Sequence, residues 1–347
     1  MKTSAKISCT GLIIILLMGI NVMSVIAKEE QPASKESKMI SLEDAKKTAK
    51  EKGLDILIDF SGSDWCGWCK RLDKEVFSTE AWKKESSGKY ILIVLDFPRG
   101  EIISKKQKEY NNKIGREFGI SGYPTVFVLD SDGRPYAKTG YQEGGPEKYL
   151  ANLETFTVRK QERDDLLKQT KEAGPEERLP LLENVISQLN KWEVEFGYPE
   201  IKEQVVSLDS DNTNGLKLKY ATELAQYYND RENKEKTDFY LNTVKQLDSD
   251  KGNKLETDLK LNLIKAKYFQ TEDWNGALKA LNKLTESKPQ GESAQEIYYL
   301  IAIVYGPKQL NNKNKTTENL EKALGYAPDS ELGVKIKGIL DNMKKTK

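Results

Sequence analysis

Apolar and polar positions follow two different patterns along the chain, and the change falls near residue 158. Before it, short continuous apolar runs alternate with segments whose apolar residues recur at helical spacing. Continuous runs of this kind predict strands that are buried in a mixed or parallel sheet. The runs are LDILIDF (54–60), YILIVLDF (90–97) and PTVFVLD (124–130), and the turn DSDGR leads to a fourth strand around residues 136–139. Strands that alternate with helices predict an α/β sheet with helices on its faces.

The helices between these strands have recognisable ends. Ser41 and Asp44 give the segment 41–53 a start that resembles a capping box, and Gly53 gives it a stop. Further helices are predicted after the two cysteines, over 104–120, and over 144–156, where a proline lies near the first turn. Cys66 and Cys69 therefore fall at the carboxyl end of the first central strand and at a helix N-terminus.

After residue 158 the sequence loses its strand-like runs, and its helical spacing repeats. Leu224, Ala225, Tyr228, Leu241 and Val244 recur 40 residues later as Ile264, Lys265, Tyr268, Leu281 and Leu284, and a looser third copy follows after 39 residues. The units resemble tetratricopeptide repeats with lengthened turns. Residues 159–347 are therefore predicted to form an all-α, tetratricopeptide-like helical-repeat domain whose leucines and aromatics form the core between helices. A concave peptide-binding face is a further hypothesis.

The first 27 residues have the pattern of an export signal. Lys2 and Lys6 precede an uncharged apolar run, and Val25-Ile26-Ala27 offers small or apolar residues at the positions that a signal peptidase reads. The alternative is an N-terminal membrane anchor, since residues 7–27 could span a bilayer. Residues 28–39 are polar and without periodicity, as in a flexible spacer. Cleavage would remove Cys9 and leave two cysteines in the mature chain.

Composition removes several classes of function. The 55 Lys and Arg residues against 54 Asp and Glu residues leave a net charge of +1, so the basic surplus of a nucleic-acid-binding protein is missing. The 347-residue chain has no histidine, which excludes histidine bases, Cys-His and Ser-His nucleophile pairs and histidine metal ligands. Chemistry must come from cysteine, carboxylate, lysine or tyrosine side chains.

The stretch SGSDWCGWCKRL (61–72) places the two cysteines where a reactive thiolate is stabilised. The partial positive charge of a helix N-terminus favours the thiolate, and Lys70 and Arg71 add cationic charge nearby. Cys66 is expected to attack a disulfide, and Cys69, one turn further on, to resolve the mixed disulfide. Asp64 would act in the opposite sense and raise the thiol pKa if it lies close.

Two other interpretations of the cysteine pair, a zinc site and a structural disulfide, have less support from the sequence. A structural zinc site normally needs four Cys or His ligands, and the mature chain would have two such residues. A disulfide that closes so short a loop stabilises a fold by only about 2 kcal/mol, against about 3 kcal/mol for a 15-residue loop.

Three segments together resemble the thioredoxin superfamily over roughly residues 40–158. They are ILIDF, then WCGWCK, then GISGYPTVFVLDSDG, and the form SGSDWCGWCK is similar to exported bacterial thioredoxin-like proteins. The resemblance implies a thioredoxin-like fold in which Tyr123 precedes a cis proline, Pro124, that lies against the cysteines. It also matches Trp65 to the family's tryptophan before the first cysteine.

The chain departs from that family in ways that affect the site. Gly67 and Trp68 stand between the cysteines, where thioredoxin has Gly-Pro, so a redox potential cannot be carried over. Asp59 resembles the buried aspartate that helps to deprotonate the resolving cysteine, but it lies seven residues before Cys66 instead of six, and the strand YILIVLDF offers it no lysine partner. Asp59 is either that proton acceptor or a strand-end residue. Trp68 either shapes a substrate groove or packs on its own domain.

The sequence thus predicts a periplasmic or otherwise exported thiol-disulfide oxidoreductase that reduces or isomerises disulfides in partner proteins, with a catalytic set and a substrate-binding set. The catalytic set is Cys66, Cys69, Pro124 and Asp59, and the substrate-binding set is Trp65, Gly67, Trp68 and Tyr123. No metal site is expected, because the mature chain would have too few Cys and His ligands, and no cofactor is implied, because the dithiol itself carries both electrons. The expected partners are disulfide-containing exported proteins and a membrane or periplasmic electron donor, with the helical domain selecting clients. The alternative is a binding scaffold whose helical surface is the functional part and whose redox activity is secondary.

Overall fold

A computed structural model describes residues 41–269 and 271–345 of the chain. The predicted signal peptide and the predicted spacer both lie outside the described residues. Within the described ranges, no helix is both long enough and apolar enough to cross a membrane.

The first part of the structure is built on a four-stranded sheet. Its strands are β1 (Asp55–Ser61), β2 (Tyr90–Asp96), β3 (Thr125–Leu129) and β4 (Pro135–Thr139). The order across the sheet is β2-β1-β3-β4, with β1 parallel to β2 and antiparallel to β3, and β3 antiparallel to β4. The sheet is therefore mixed, and β1, which leads to the cysteines, lies in its interior, where nearly all its side chains are buried.

Five helices accompany this sheet. They are α1 (Leu42–Lys52), α2 (Gly67–Leu72), α3 (Glu80–Ser86), α4 (Lys105–Glu117) and α5 (Gly145–Thr155). The predicted ends of α1 are confirmed, since the Ser41 hydroxyl accepts the N–H of Asp44 at 3.1 Å and Gly53 has the left-handed φ of 66°. A turn of π-helix over Asp73–Phe77 continues α2, so the cysteines begin a longer helical segment.

One core lies between the sheet and the helices that follow the cysteines. It contains Leu57 of β1, Leu72 and Val76 after the cysteines, and Trp82 of α3, together with side chains of β3, β4 and α5. These side chains are at most a few per cent exposed, so α2 is fixed against β1 by apolar packing. This packing sets the position of the cysteine loop.

The second part consists of helices joined by turns and loops, and its described residues contain no strand. Its helices are α6 (Thr157–Glu172), α7 (Pro175–Lys191), α8 (Pro199–Leu208), α9 (Leu216–Asp230), α10 (Lys234–Leu247), α11 (Ser249–Ile264), α12 (Trp274–Thr285), α13 (Gly291–Val304), α14 (Lys313–Tyr326) and α15 (Glu331–Lys345). A short 3-10 turn covers Glu195–Gly197, and a π-helical turn over Lys265–Phe269 extends α11.

The 40-residue recurrence coincides with successive helix pairs. Leu224 and Ile264 lie in α9 and α11, while Leu241 and Leu281 lie in α10 and α12, and all four are buried. The prediction that the recurring apolar positions form the core between helices agrees with this burial. The likeness to tetratricopeptide repeats stays a prediction.

The helical part packs against the sheet through a polar and aromatic junction. Arg163 of α6 is buried and donates to the Asp130 carboxylate at 2.7 Å and to the Tyr198 hydroxyl at 3.0 Å. Tyr198 in turn donates to the Pro135 carbonyl at 2.7 Å. The ring of Phe196 lies 5.1 Å from that of Phe118 and 5.3 Å from that of Phe127. The predicted boundary near residue 158 therefore falls beside a shared interface, and the division into domains at 40–158 and 159–347 stays a prediction.

Candidate redox site

Cys66 and Cys69 are joined by a disulfide at the start of α2. Cys66 is the N-cap residue of that helix, and its sulfur accepts the backbone N–H of Cys69 at 3.1 Å. The exposed fraction of Cys66 is 6% and that of Cys69 is 2%, so the first cysteine is the more accessible of two well-covered sulfurs. An N–H directed at Sγ, together with the helix dipole, stabilises a thiolate at Cys66 when the pair is reduced.

The two cations that follow the cysteines are both engaged by nearby groups. Lys70 Nζ donates to the Asp64 carbonyl at 2.8 Å. Arg71 Nε donates to the Glu75 carboxylate at 2.9 Å, which is one turn away on the same helical segment. Lys70 thereby ties α2 to the residue two positions before Cys66.

Asp64 faces the loop that follows β2. Its carboxylate accepts the backbone N–H groups of Arg99, at 3.0 and 3.1 Å, and of Gly100, at 2.8 Å. These hydrogen bonds, that of Gly100 foremost, lower the pKa of Asp64. The negative charge of Asp64, which was expected to oppose thiolate formation, is thus bound by two backbone N–H groups. These hydrogen bonds also join the cysteine loop to the loop after β2.

Trp65 forms one flank of the site. Its indole N–H donates to the Phe97 carbonyl at 2.8 Å, and its ring meets Tyr123 edge-on at 5.4 Å. The Arg99 guanidinium lies over the same ring, 4.6 Å from its centroid. Gly62 allows this arrangement, because a Cβ there would come within 2.6 Å of the indole. Trp65 and Tyr123, both predicted to bind substrate, are therefore in contact.

Trp68 forms the other flank and is 55% exposed. Its ring lies 5.2 Å from that of Tyr141, and the Arg71 guanidinium is 5.2 Å from the Trp68 centroid and 4.8 Å from the Tyr141 centroid. The Tyr141 hydroxyl donates to Glu75 at 2.6 Å. Glu75 thus binds both Arg71 and Tyr141, and these two side chains pack against Trp68. More than half of the Trp68 side chain stays exposed. Gly67 stands between the two flanks, with open space where a side chain would project.

The Tyr123–Pro124 peptide bond is cis, as the resemblance implies. Pro124 directly precedes β3, and a Cβ on Gly140 at the end of β4 would meet the Pro124 carbonyl at 3.0 Å. Tyr123 touches Trp65, and Gly140 precedes Tyr141, the partner of Trp68. The proline segment therefore contacts the Trp65 flank through Tyr123, and its carbonyl lies close to the residue that precedes Tyr141.

Asp59 is a buried carboxyl group in the middle of β1, with an exposed fraction of 3%. Burial, with smaller contributions from the negative charges of Asp73 and Asp96, raises its pKa from 3.8 to about 7. Its Oδ1 has no hydrogen-bond partner among the described residues. No ion pair in the described ranges includes Asp59, in keeping with the lack of a lysine in β2. The group can therefore exchange a proton near neutral pH.

A family model described as a thioredoxin-like domain matches residues 42–157, which hold the four strands, the disulfide and the cis proline. This segment is a thioredoxin-like domain. It is followed by the helical region, so the fold class predicted from the sequence is confirmed at that level.

Proteins similar to this domain carry related names. The disulfide bond reductase DsbH of Chlamydia pneumoniae is 24% identical over 115 residues, which are 33% of this chain and 69% of the relative. The thioredoxin-related protein DsbJ of the same organism is 24% identical over 125 residues, 36% of each chain. The thioredoxin-like protein YneN of Bacillus subtilis (strain 168) is 26% identical over 106 residues, which are 27% of this chain and 56% of the relative.

A solved structure titled DsbH oxidoreductase has 23% identity and a TM-score of 0.33, and the match covers 34% of this chain and 82% of that one. The relatives thus match the thioredoxin-like part, which is about a third of the chain. The thioredoxin-like domain, its cysteine pair and these relatives support thiol-disulfide exchange as the reaction class.

Three residues of the thioredoxin-like site were not predicted from the sequence. Arg99 follows β2, whose carboxyl end lies beside that of the parallel β1, and this edge is a usual place for ligand-binding loops. That signal was available in the sequence. No sequence pattern indicated Tyr141 or Glu75. The hydrogen bond between them depends on how the end of β4 approaches the helical segment after the cysteines in the folded domain.

Among residues 41–269 and 271–345, no group of three or more His, Cys, Asp or Glu side chains is arranged to hold a metal ion.

Proposed function

We propose that this protein is an exported thiol-disulfide oxidoreductase that reduces or isomerises disulfides in partner proteins. The observation that carries the proposal is the Cys66–Cys69 disulfide at the N-cap of α2, with the Cys66 sulfur facing a backbone donor. The name of one relative, disulfide bond reductase, favours the reducing direction. No cofactor is needed, since the dithiol itself supplies two electrons.

In the first step, the Cys66 thiolate attacks one sulfur of a client disulfide. A bond forms between Cys66 and that sulfur, the client's disulfide breaks, and its other sulfur leaves as a thiolate that takes a proton from solvent. Cys66 is suited to this role, because it is the N-cap residue and the more exposed of the pair.

In the second step, Cys69 loses its proton and its sulfur attacks Cys66. The Cys66–Cys69 disulfide forms, the mixed disulfide breaks, and the client's second sulfur leaves as a thiolate that takes a proton from solvent. Two electrons have then passed from the dithiol to the client, and the protons lost by the two cysteines are balanced through solvent by those that the client gains. Asp59 is proposed as the proton acceptor, since a carboxyl group with a pKa of about 7 can accept and return a proton near neutral pH.

The remaining predicted site residues are assigned to client binding. Trp65 and Tyr123 form one wall, Trp68 forms the other, and Gly67 leaves space between them for a client backbone. Pro124 is proposed to lie against the cysteines and to align the client beside Cys66. The exposed indole of Trp68 supports this assignment, because exposed aromatics at a reactive site are suited to binding.

The proposed partners are disulfide-containing exported proteins, with a membrane or periplasmic electron donor that returns the pair to the dithiol. The proposal includes cleavage of residues 1–27 and a periplasmic or otherwise exported location, and it includes no nucleic acid. The helical region is proposed to select clients, because a neighbouring surface raises the effective concentration of the proteins that it binds.

A trapping experiment tests this proposal. Cys69→Ala keeps the attacking sulfur and removes the one that resolves, so clients should accumulate as covalent adducts on Cys66, detected by non-reducing gels and mass spectrometry. Cys66→Ala is the matched control and should trap almost nothing. Adducts formed through Cys69 instead would contradict the assignment of roles. If neither variant gives adducts while both are folded, the protein is better described as a scaffold.

A further inference from the structure

A groove of 1520 Å³ lies between α4 of the thioredoxin-like domain and the helical region. One wall contains Lys105, Lys108 and Arg116 of α4, and the other contains Leu241 of α10 and Leu259 of α11. The volume exceeds the range of about 300–1,000 Å³ that is usual for small-molecule pockets. Its size and its two unlike walls fit a polymer segment better than a metabolite.

The groove begins at the redox site. Arg99 and Gly100 line it, and their backbone N–H groups are the ones that bind Asp64, two residues before Cys66. The side chain of Arg99 also lies over the Trp65 ring. A chain segment that leaves the redox site over Trp65 can therefore enter the groove directly.

One whole face of α4 is turned to the groove. Residues 105, 108, 109, 112, 113 and 116 line it, which is the i, i+3, i+4, i+7 spacing of a single helix face. This face contains four cations, Lys105, Lys108, Lys113 and Arg116, and one anion, Glu109, so its formal charge is +3.

The groove lining as a whole holds eight Lys and Arg residues and six acidic ones, Glu101 and Glu272 among them, so its formal charge is +2. The acidic groups of the opposite wall that form ion pairs do so with cations other than Lys105 and Lys108. Asp238 pairs with Lys234, and Glu256 pairs with Lys245 and Lys260. Glu232 pairs with Arg116, at the far end of α4. None of the ion pairs within residues 41–269 and 271–345 includes Lys105 or Lys108. Positive charge thus remains available on the α4 wall, close to the loop that holds Arg99.

The opposite wall also offers apolar surface. Leu263 of α11 is exposed and lies beside Leu259 and Ala266 along the groove. An extended chain presents successive side chains to opposite faces. A segment in the groove would therefore direct one set of side chains to the lysines of α4 and the alternate set to these apolar residues.

We propose that the groove binds an extended client segment, adjoining the client's reactive cysteine, in which acidic side chains alternate with apolar ones. This inference rests on the proposed thiol-disulfide exchange and specifies its substrates. The 13 residues of α4 span about 20 Å. At about 3.3 Å per residue, roughly six extended residues would be bound.

The test uses the reduced full-length protein and synthetic peptides. Each peptide carries one cysteine in a mixed disulfide with 2-mercaptoethanol, followed or preceded by a flank of alternating Glu and Leu, Lys and Leu, or Gln and Leu. The second-order rate constant of reduction is measured by tryptophan fluorescence under single-turnover conditions. We expect the Glu-Leu peptides to react about ten-fold faster than the Lys-Leu peptides, since several exposed charge pairs each contribute a few-fold. High salt should reduce this preference.

Two pairs of matched variants locate the effect. Lys105→Glu with Lys108→Glu should abolish the preference for acidic flanks, whereas Lys47→Glu with Lys106→Glu, an equal charge change at exposed lysines outside the groove, should leave it intact. Leu263→Ser should slow all Leu-containing peptides, while Phe239→Ser, at an exposed aromatic outside the groove, should not.

Three outcomes would overturn the inference: no preference in the unaltered protein, a preference that survives in the Lys105 and Lys108 variant, or an equal loss in the control pair. Hydroxyethyl disulfide, a small uncharged substrate, separates this inference from the proposed function. If the protein reduces it but shows no flank preference, only the groove inference fails. If the protein does not reduce it at all, the proposed thiol-disulfide exchange fails.

Discussion

Replacing Asp59 by asparagine should make the oxidised protein more stable at neutral and alkaline pH. Asp59 is buried in β1 and lacks a partner for Oδ1 among the described residues, so its ionised form is poorly solvated in the folded state. Its pKa rises from 3.8 to about 7. At about 1.4 kcal/mol for each pKa unit, ionising this group in the fold costs up to about 4 kcal/mol more than in the unfolded chain.

The pH window follows from the direction of the change in pKa. Below pH 3.8, Asp59 is protonated in both states and imposes no cost. Between pH 3.8 and about 7, the unfolded chain ionises while the folded protein holds its proton, so the free energy of unfolding falls as pH rises. Above about pH 7 both states are ionised, and the full cost remains.

The measurement is guanidinium-induced unfolding of the oxidised wild-type protein and of Asp59→Asn at pH 4, 6 and 8. The disulfide removes the thiols from the titration, and every other group is common to both proteins. The stability difference in favour of the variant should grow from pH 4 to pH 8 by up to about 4 kcal/mol. A difference that does not change with pH would show that Asp59 is not a buried, poorly solvated acid in the folded protein. In the reduced protein, the same variant should release mixed disulfides more slowly if Asp59 accepts the Cys69 proton.

Two further expectations concern the junction and maturation. Arg163→Met removes the donor from a buried ion pair with Asp130 and should lower the free energy of unfolding by about 3–5 kcal/mol, measured in urea, whereas Arg159→Met, at a partly exposed arginine of the same helix, should cost much less. Intact-mass analysis of protein from the cell envelope should show a chain that begins near Lys28; a full-length chain that needs detergent for release would instead indicate an N-terminal anchor.

Local features of the fold were readable from the sequence because nearby residues determine them. The end of α1 at Gly53 depends on one left-handed residue, and the burial of β1 follows from its continuous apolar run. The position of Cys66 at the N-cap of α2 follows from the strand before it and the helical spacing after it. The cis bond before Pro124 was different, since the resemblance to a family implied it and no local pattern did.

Other parts of the site depend on contacts that no local pattern encodes. The hydrogen bond between the Asp64 carboxylate and the Arg99 backbone joins two loops. These loops meet because β1 and β2 are parallel neighbours, so both strands end at the same edge of the sheet. Tyr141 reaches Trp68 because β4 returns beside β3, and nothing around Tyr141 in the sequence indicates a partner 73 positions earlier. The unusual pKa of Asp59 likewise comes from burial by distant segments.

The change of sequence pattern near residue 158 locates a change of architecture, but it does not reveal that the two parts are held together at separate points. At one point, buried Arg163 donates to Asp130 and Tyr198. At another, Arg231 at the end of α9 donates to the Glu117 carbonyl at the end of α4, 2.5 Å away. A single point of attachment would leave a hinge, whereas two separated ones restrict rotation between the parts. Contacts at both points therefore favour one arrangement of the two walls of the groove beside α4. Such an arrangement would let charges on one wall and apolar side chains on the other select a client sequence together.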